Sequence, residues 1–302
     1  MLRLFAACML IVLGFSAFAP AQAEFPIPAR IVTLKPHGQE DGRYRYVEIL
    51  LEKILGKAGS QAKVAQAQTR YSRDRLLQEL IKGENIHVIA EAPKPGWEEQ
   101  LLPIRIPIRK GLQGYRLFLI NRQDQAALAN VNSLEELQDF ATGSGAQWST
   151  RSVMEQAGFQ VVTSEDYEAL FKMLKLRRFV TFGRGINEVF KEQESFAGGN
   201  GDLIVEKTLC LFIPLPTYFF VSPAHPELAK LIELGLKQMI ADGSFDQHFL
   251  TFHHADLSRA NLSKRKIFSI SNPNLSGQTP IGEPSYWLDP ASLGDLQQEN
   301  DS

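Results

Sequence analysis

The residues best suited to binding chemistry lie in two short stretches, each joining an expected strand to the start of an expected helix. At such a junction, unpaired backbone N–H groups and the positive end of the helix dipole favour a small anion. The first stretch contributes a glycine, an indole and two hydroxyl groups, from Gly145, Trp148, Ser149 and Thr150. Glycine lets a ligand approach the backbone, while the indole and hydroxyls supply packing and hydrogen bonds. A core tryptophan beside an ordinary helix cap explains the same residues equally well.

The second stretch places Arg184 between Gly183 and Gly185. A guanidinium there can hold a carboxylate or phosphate through two parallel hydrogen bonds, because the glycines leave room for the ligand. A cation at a helix start opposes the helix dipole, so its presence calls for a reason. The alternative partner for Arg184 is Glu188, about one turn further on. The sequence therefore predicts that Arg184→Ala abolishes ligand binding and leaves the fold intact.

The loop 91–97 is the expected opposite wall of the same cleft. It follows a short apolar strand, and ligands of open α/β sheets bind beyond the carboxyl ends of the strands. Glu91, Lys94 and Trp97 are its candidate ligand contacts. A plain exposed loop is the alternative interpretation.

A basic set surrounds the segment that follows: Arg105, Arg109, Lys110 and Arg116. Isolated basic side chains are usually solvated or paired at the surface. We therefore expect these residues at the surface, with one of them in the cleft as the alternative.

Patterns typical of catalysis or metal binding are missing from the sequence. His248, His253 and His254 do not share one helical face, as zinc ligands on a helix would. The carboxylates of Glu98 and Glu99 are adjacent and cannot flank a substrate as acid and base. The hydrolase, metalloprotease and phosphate-loop motifs do not occur. The sequence thus predicts no catalytic residue, no metal and no cofactor, and a protein that is not an enzyme.

Residues 1–23 have the features of a cleaved secretory signal: Arg3, an apolar run, and small residues at the cleavage site. A membrane anchor, the alternative, would need a longer apolar run. Export to the periplasm is therefore expected. The chain has 32 Lys and Arg against 34 Asp and Glu, which argues against a basic nucleic-acid surface. Cleavage would leave Cys210 as the single cysteine, so no internal disulfide is expected, and its apolar neighbours indicate a buried, inert thiol.

Strand and helix patterns alternate along two parts of the chain, which favours an α/β fold of two lobes with mainly parallel sheets. The expected bounds are 24–114 with 217–270 for lobe 1, and 115–216 for lobe 2. Within a long helix of lobe 1, Gly235 would let a neighbouring element approach closely. Residues 271–302 are expected to be a tail without its own core, attached through Trp287 and Leu288 and disordered from Asp295.

Three stretches, in this order, resemble the family 3 extracellular solute-binding proteins, the amino-acid-binding components of ABC transporters. They are 102–104 followed by Pro107 and Gly111, 133–137, and 236–249. The resemblance implies a type II periplasmic-binding-protein fold, in which two lobes joined by two crossover strands close on a small polar solute and present it to a permease. Many members hold an amino acid with a first-lobe arginine and a second-lobe aspartate. The matching positions here fall at about Trp97 and Arg184, so the resemblance implies a divergent member.

The sequence therefore predicts an exported, monomeric, bilobed α/β protein. It would close on a small polar, anionic solute, amino-acid-like or an organic acid, for transport. The expected partners are that solute and either a membrane ABC permease or a membrane sensor, with no nucleic acid. The first alternative is a sensory or accessory protein of the same fold without a transporter, and the second is an enzyme on this scaffold.

Overall fold

The computed structural model of the protein describes residues 27–34, 42–198 and 201–294. The expected signal peptide and the stretch 295–302, for which disorder is expected, lie outside the described residues. Within the described part of the chain, no helix combines the length and apolar character that a membrane span requires.

Strands and helices alternate as the sequence patterns predict. The opening elements are β1 (Arg30–Thr33), α1 (Gly42–Lys57), β2 (Lys63–Gln66), α2 (Arg73–Lys82), β3 (Val88–Glu91), α3 (Trp97–Gln100) and β4 (Leu102–Ile104). The middle elements are β5 (Tyr115–Asn121), α4 (Gln125–Ala129), α5 (Leu134–Gln138), β6 (Thr142–Gly145), α6 (Ser149–Gln156), β7 (Val161–Ser164), α7 (Tyr167–Lys175), β8 (Phe182–Gly185), α8 (Ile186–Phe196), β9 (Leu203–Val205) and β10 (Leu209–Phe212). The closing elements are β11 (Tyr218–Val221), α9 (Pro226–Ala241), α10 (Ser244–Ala260) and β12 (Lys266–Ser269).

The strands form sheets in two units. The first unit comprises β1 to β4 with α1 to α3, and β11 with α9; the second comprises β5 to β10 with α4 to α8, and β12. In the first unit β11 lies between β3 and β4 and is antiparallel to both, while β1 and β2 are parallel. In the second unit the main sheet has the order β12-β10-β5-β8, with β9 also on β5 and the parallel pair β6–β7 beside it.

The expectation of mainly parallel sheets is only partly met. Parallel pairing joins β1 to β2, β6 to β7 and β10 to β12. The strands next to the crossing between the units, β5 and β11, pair antiparallel with their neighbours because they carry the chain back against the direction of the βα repeats. The expected lobe 1 boundary at residue 270 also differs from the pairing found, since β12 lies in the sheet of the second unit.

Two crossing segments, 105–114 and 213–217, connect the units and run side by side. The Ile108 N–H donates to the Thr217 carbonyl at 2.9 Å, and the Ile213 N–H donates to the Gly114 carbonyl at 3.0 Å. A Cβ atom on Gly114 would lie 2.0 Å from the Ile213 carbonyl oxygen. The close approach of the two backbones therefore requires glycine at this position.

Each unit has its own hydrophobic core, and α10 contributes to both. Phe245 packs with α1 and α9 of the first unit, whereas Phe249 and Leu257 pack with the core of the second unit. The prediction for Gly235 of α9 is confirmed, because a Cβ atom there would lie 2.3 Å from the Ile54 carbonyl oxygen of α1. The helix α10 thus contributes to both cores, and its Asp246 pairs with Lys110 of the first crossing segment at 2.6 Å.

The described part of the tail, 271–294, lies against the rest of the chain. Leu288 and Leu293 are buried in the hydrophobic core of the second unit. The Trp287 ring covers Gly111, where a Cβ atom would lie 2.5 Å from the indole. The expected attachment through Trp287 and Leu288 is therefore confirmed, and it extends to Leu293.

Candidate functional site

A cavity of about 1060 Å³ lies between the two units and is the main candidate site. Its first wall is the loop after β3, its second wall is formed by the ends of β5, β6 and β8 with the starts of α6 and α8, and the tail completes it. The lining residues are Glu91, Ala92, Pro93, Lys94, Pro95, Gly96, Glu98, Glu99, Gln113, Arg116, Gln147, Trp148, Ser149, Thr150, Arg184, Asn187, Glu188, Leu215, Asn274, Leu275 and Ser276.

The cavity brings together six of the nine residues proposed from the sequence. They are Glu91, Lys94, Trp148, Ser149, Thr150 and Arg184. Both expected walls meet there because each contributing segment follows a strand at the edge where the units face each other. The remaining three residues, Gly145, Gly185 and Trp97, are not among the lining residues.

Trp97 belongs to the core of the first unit, which corrects its proposed place in the wall. Its side chain is 5% exposed, and its ring meets Phe220 edge-on at a centroid distance of 5.7 Å. The indole packs in the hydrophobic core because burial of a large aromatic ring is favourable. The Lys94 ammonium lies 4.4 Å from the centre of this ring and 3.0 Å from the Glu91 carboxylate. Trp97 therefore positions Lys94 and does not itself face the cavity.

The start of α6 is the first of the two predicted anion cradles. Trp148 is its N-terminal flanking residue, and no side chain caps the helix. The indole covers Gly145, where a Cβ atom would lie 2.5 Å from the ring, so Gly145 makes room for Trp148 and not for a ligand. Ser149 is exposed and Thr150 is buried. In the first turn of α6 the Arg151 N–H donates to the Trp148 carbonyl at 3.0 Å, and no side chain caps the helix start beside the cavity.

The start of α8, the second predicted cradle, already holds a carboxylate of the chain. The Gly185 N–H donates to the Glu188 carboxylate at 3.2 Å. An acidic side chain in the first turn satisfies both an unpaired N–H group and the helix dipole. Gly185 is therefore a helix flank whose N–H is taken by Glu188 and which lies outside the cavity lining, and its contact with a ligand stays a prediction.

Arg184 already forms two parallel hydrogen bonds to a carboxylate of the protein, the interaction that the sequence analysis expects from a ligand. Its Nε and Nη2 atoms donate to the two carboxylate oxygens of Glu192, both at 2.6 Å, and Nη2 also lies 3.1 Å from Glu188. The Tyr167 hydroxyl donates to the same Glu192 carboxylate at 2.7 Å, and the guanidinium lies 4.4 Å from the Trp148 ring centre. Burial alone would lower the pKa of Arg184, but the hydrogen bonds and negative charges of Glu192 and Glu188 outweigh it and raise the pKa.

This pairing follows from where β8 lies in the chain. The strand expected at 179–182 is found at Phe182–Gly185, so Arg184 is a strand residue opposite Leu117 of β5. Its side chain extends along α8 and reaches Glu192 in the second turn. The spacing in the sequence indicates Glu188 as an alternative partner of Arg184. It does not indicate Glu192, which is eight residues away and becomes a neighbour only through this geometry.

Arg116 lies in the cavity wall, although the sequence analysis expects it at the surface. It is buried on β5, and its guanidinium donates to the Gln113 carbonyl at 3.2 Å and the Gly183 carbonyl at 2.9 Å. Among the described residues it forms no ion pair with a carboxylate. Burial lowers the pKa of Arg116 to about 10, although the nearby negative charges of Glu188 and Glu192 act in the opposite direction; the charge of Arg184 lowers it further.

A signal for Arg116 is present in the sequence. It is the single charged residue within the apolar strand Tyr115–Ile120, and every residue of β5 is buried. A charge in such a strand is costly unless it meets a compensating group. That pattern distinguishes Arg116 from Arg105, which is half-buried and pairs with Glu98 at 2.9 Å.

The negatively charged residues of the wall are mostly paired within the protein. Glu91 pairs with Lys94, Glu98 with Arg105, and Glu188 with Arg184. Glu99 is exposed at the rim. No group of three or more His, Cys, Asp or Glu side chains suited to a metal ion occurs in the described ranges. Arg116 is thus the buried charge of this wall whose partner is not another side chain.

Comparison with known proteins finds no matching family model and no matching curated protein. Solved structures are similar in fold. An ancestral arginine-binding protein bound to arginine is 18% identical, with 74% of this chain and 96% of that chain covered and a TM-score of 0.45. A putative binding component of an ABC transporter from Wolinella succinogenes, complexed with lysine, is 15% identical; the match covers 74% of this chain and 96% of that chain, with a TM-score of 0.48. An amino acid ABC transporter substrate-binding protein from Streptococcus pneumoniae, bound to L-arginine, is 11% identical; the match covers 74% of this chain and 93% of that chain, with a TM-score of 0.46. A shared fold is compatible with quite different ligands.

Proposed function

We propose that this protein is an exported solute-binding protein that closes on a small polar solute carrying a negative group. The cavity between the units is the binding site. The observation that carries the proposal is Arg116, a buried guanidinium in the wall whose described hydrogen bonds go to two neutral carbonyls. Glu188 and Glu192 act on Arg116 only through their charge, so a solute carboxylate or phosphate would be its directly bonded anion.

The energetics favour an anion at Arg116 over an anion at Arg184. A buried charge is costly unless it is paired and hydrogen-bonded, and Arg184 meets that condition through Glu192 while Arg116 does not. A ligand carboxylate at Arg184 would have to displace a carboxylate that is already held through two short hydrogen bonds. At Arg116 it would displace no ion pair.

The start of α6 supports the same assignment. It contributes uncapped N–H groups and the Ser149 hydroxyl to the second wall, and the Trp148 ring gives an apolar or aromatic part of the solute a surface to lie on. The first wall contributes Lys94, which Trp97 and Glu91 hold in place. These groups suit a small organic acid or an amino-acid-like solute.

A binding role fits this wall better than catalysis. The described lining contains neither histidine nor cysteine. The buried histidines His248 and His253 lie beside Tyr46, away from the lining residues. Closure of the two units would convert binding into a change of shape. That change would be recognised by a membrane ABC permease, as proposed here for transport, or by a membrane sensor in the alternative role.

A thermal-shift screen of the mature protein tests the proposal. The compounds are dicarboxylates, amino acids and phosphorylated metabolites, with cationic amines as the opposing set. An anionic ligand at 100 times its dissociation constant should stabilise the fold by about 2.7 kcal/mol. Arg116→Gln should remove this shift and Arg116→Lys should keep part of it. No shift with any anion, or a shift that Arg116→Gln leaves intact, would overturn the proposal.

Arg122→Gln is the matched control. Arg122 immediately follows β5 and donates to the Gly201 carbonyl at 2.8 Å, but it is exposed and lies outside the cavity lining. Its replacement removes a comparable arginine–carbonyl hydrogen bond. The ligand-induced shift should therefore remain at the parental value in this variant.

A further inference from the structure

The tail does not leave the molecule after β12 but returns across the cavity. Ile270 and Asn272 remain attached to the second unit and the crossing segment, through hydrogen bonds to the Phe212 carbonyl at 3.0 Å and the Pro214 carbonyl at 2.9 Å. Four residues later, the Ser276 hydroxyl donates to the Glu98 carboxylate of the first unit at 2.8 Å. Between these two anchors the chain forms part of the cavity wall.

The first-unit anchor is held firmly in its own right. The same oxygen of Glu98 accepts hydrogen bonds from the Arg105 side chain at 2.9 and 3.2 Å. Thr279, three residues further along the tail, is buried as well. The tail is thus held at Glu98 and buried beyond this contact.

The far end of the tail fastens to the first crossing segment and to the core. The Leu288 N–H donates to the Lys110 carbonyl at 2.9 Å, and the Tyr115 hydroxyl donates to the Leu288 carbonyl at 2.8 Å. Leu293 is buried in the core of the second unit. Both ends of the segment 271–294 are thus held to the second unit and the crossing segments, whereas Ser276 between them contacts the first unit.

We infer that the segment 271–294 is a strap that limits how far the two units separate and that closes one side of the solute cavity. Its four-residue step from Asn272 to Ser276 spans at most about 14 Å when fully extended. Separation of the units beyond that reach has to break the Ser276–Glu98 contact. The strap would therefore restrict both the opened state and the length of a solute that can project past Asn274 and Leu275.

The inference can be tested by measuring the distance between the units without any ligand, so its failure is distinguishable from failure of the proposed function. Spin labels at Glu52→Cys on α1 and Gln156→Cys on α6 are suitable, because both positions are exposed and lie in different units. Cys210 is buried and should stay unlabelled. The full mature chain is used, and pulsed electron paramagnetic resonance gives the distribution of distances between the two spin labels.

Asn272→Ala combined with Ser276→Ala removes both side-chain anchors. We expect the distribution to widen and its mean to shift outward by more than about 2 Å, the scale of a genuine domain rearrangement. Ser276→Thr, introduced alone, keeps the hydroxyl and should therefore keep the narrow parental distance distribution. Ser292→Ala is the matched control, since its hydroxyl donates only within the tail, to the Asp289 carbonyl at 2.7 Å.

A stop codon at Ser271 removes the whole strap but also the buried Leu288 and Leu293, so this variant can fail to fold. The double alanine variant is therefore the deciding one. A folded double variant with the parental distance distribution would overturn the inference. So would a folded truncation with that distribution.

Discussion

Arg184 and Glu192 form a buried, two-pronged ion pair in which both donor–acceptor distances are 2.6 Å. The Tyr167 hydroxyl and the Trp148 ring complete the surroundings of this pair. The pair ties β8 to the second turn of α8 and fixes the orientation of the indole at the start of α6. Arg184 is consequently a positioning residue of the second wall, and the negative group of the proposed solute is assigned to Arg116.

Arg184→Ala should destabilise the protein strongly, contrary to the expectation from sequence that the fold would remain intact. The substitution leaves the Glu192 carboxylate buried without its cation, and breaking one side of a buried pair typically costs about 3–5 kcal/mol. Chemical denaturation, followed by tryptophan fluorescence or circular dichroism, measures this loss.

The companion experiment is the double variant Arg184→Met with Glu192→Leu. Since it removes both charges, it should lose much less stability than Arg184→Ala. If the single variant Arg184→Ala is as stable as the parent, the ion pair with Glu192 does not hold the second wall in place, and Arg184 is again a candidate ligand contact.

The sequence predicts the walls of the site better than the partners within them. Trp148, Ser149 and Lys94 line the cavity as expected, because local patterns locate strand ends and strand ends share an edge of the fold. Trp97 is placed wrongly because the same local pattern does not distinguish a loop residue from one that packs inward on Phe220.

The residues missed from the sequence depend on long-range pairing. Arg116 is buried because β5 lies between β8 and β10, and both neighbours come from much later in the chain. Glu192 reaches Arg184 only because α8 begins directly after β8. The strap has no periodic apolar pattern, so its path across the cavity could not be predicted from local signals.

Gly114→Ala should disturb the crossing between the units. The added Cβ atom would lie 2.0 Å from the Ile213 carbonyl oxygen, so the two crossing segments would have to move apart. A forced shift of packed elements typically costs about 1–3 kcal/mol, which a denaturation experiment would detect. Gly56→Ala is the matched control, because nothing lies within 4 Å of its Cβ position on α1. That variant should instead gain about 0.4–1 kcal/mol. Equal stabilities of the two variants would contradict the proposed close contact.

Cys210 should be unreactive in the folded mature protein. Its side chain is fully buried on β10, and burial raises the pKa of the thiol to about 12. Because the thiolate is the reactive form, a thiol reagent at neutral pH should modify the protein only after denaturation. The release of chromophore from a disulfide reagent, with and without guanidinium, measures the accessible thiol. Rapid stoichiometric reaction of the native protein would show that β10 opens readily.

The stability of the protein should fall between pH 6.5 and pH 4 partly because of His248 and His253. Burial lowers the pKa of His248 from 6.5 to about 4 and that of His253 from 6.5 to about 3, and the nearby Arg109 acts in the same direction. Tyr46 faces both rings, with centroid distances of 4.7 and 5.2 Å, and the Arg109 guanidinium lies over the Tyr46 ring. In this window the unfolded chain binds protons that the folded chain does not. The free energy of unfolding is therefore highest above pH 6.5 and decreases as the pH falls toward the folded-state values.

Replacement of one of these histidines isolates its share of the pH dependence. His248→Gln keeps a side-chain N–H donor for the Tyr46 carbonyl, which the His248 ring meets at 3.2 Å, but removes the titrating group. Urea denaturation at intervals from pH 7 to pH 4 should show that the difference in free energy of unfolding between His248→Gln and the parent moves in favour of the variant as the pH falls. Carboxylates that titrate at low pH contribute to both proteins and cancel in this difference. A difference that stays constant across the whole window would mean that the His248 ring is already open to water, and that the contact of α10 with Tyr46 is looser than its burial indicates.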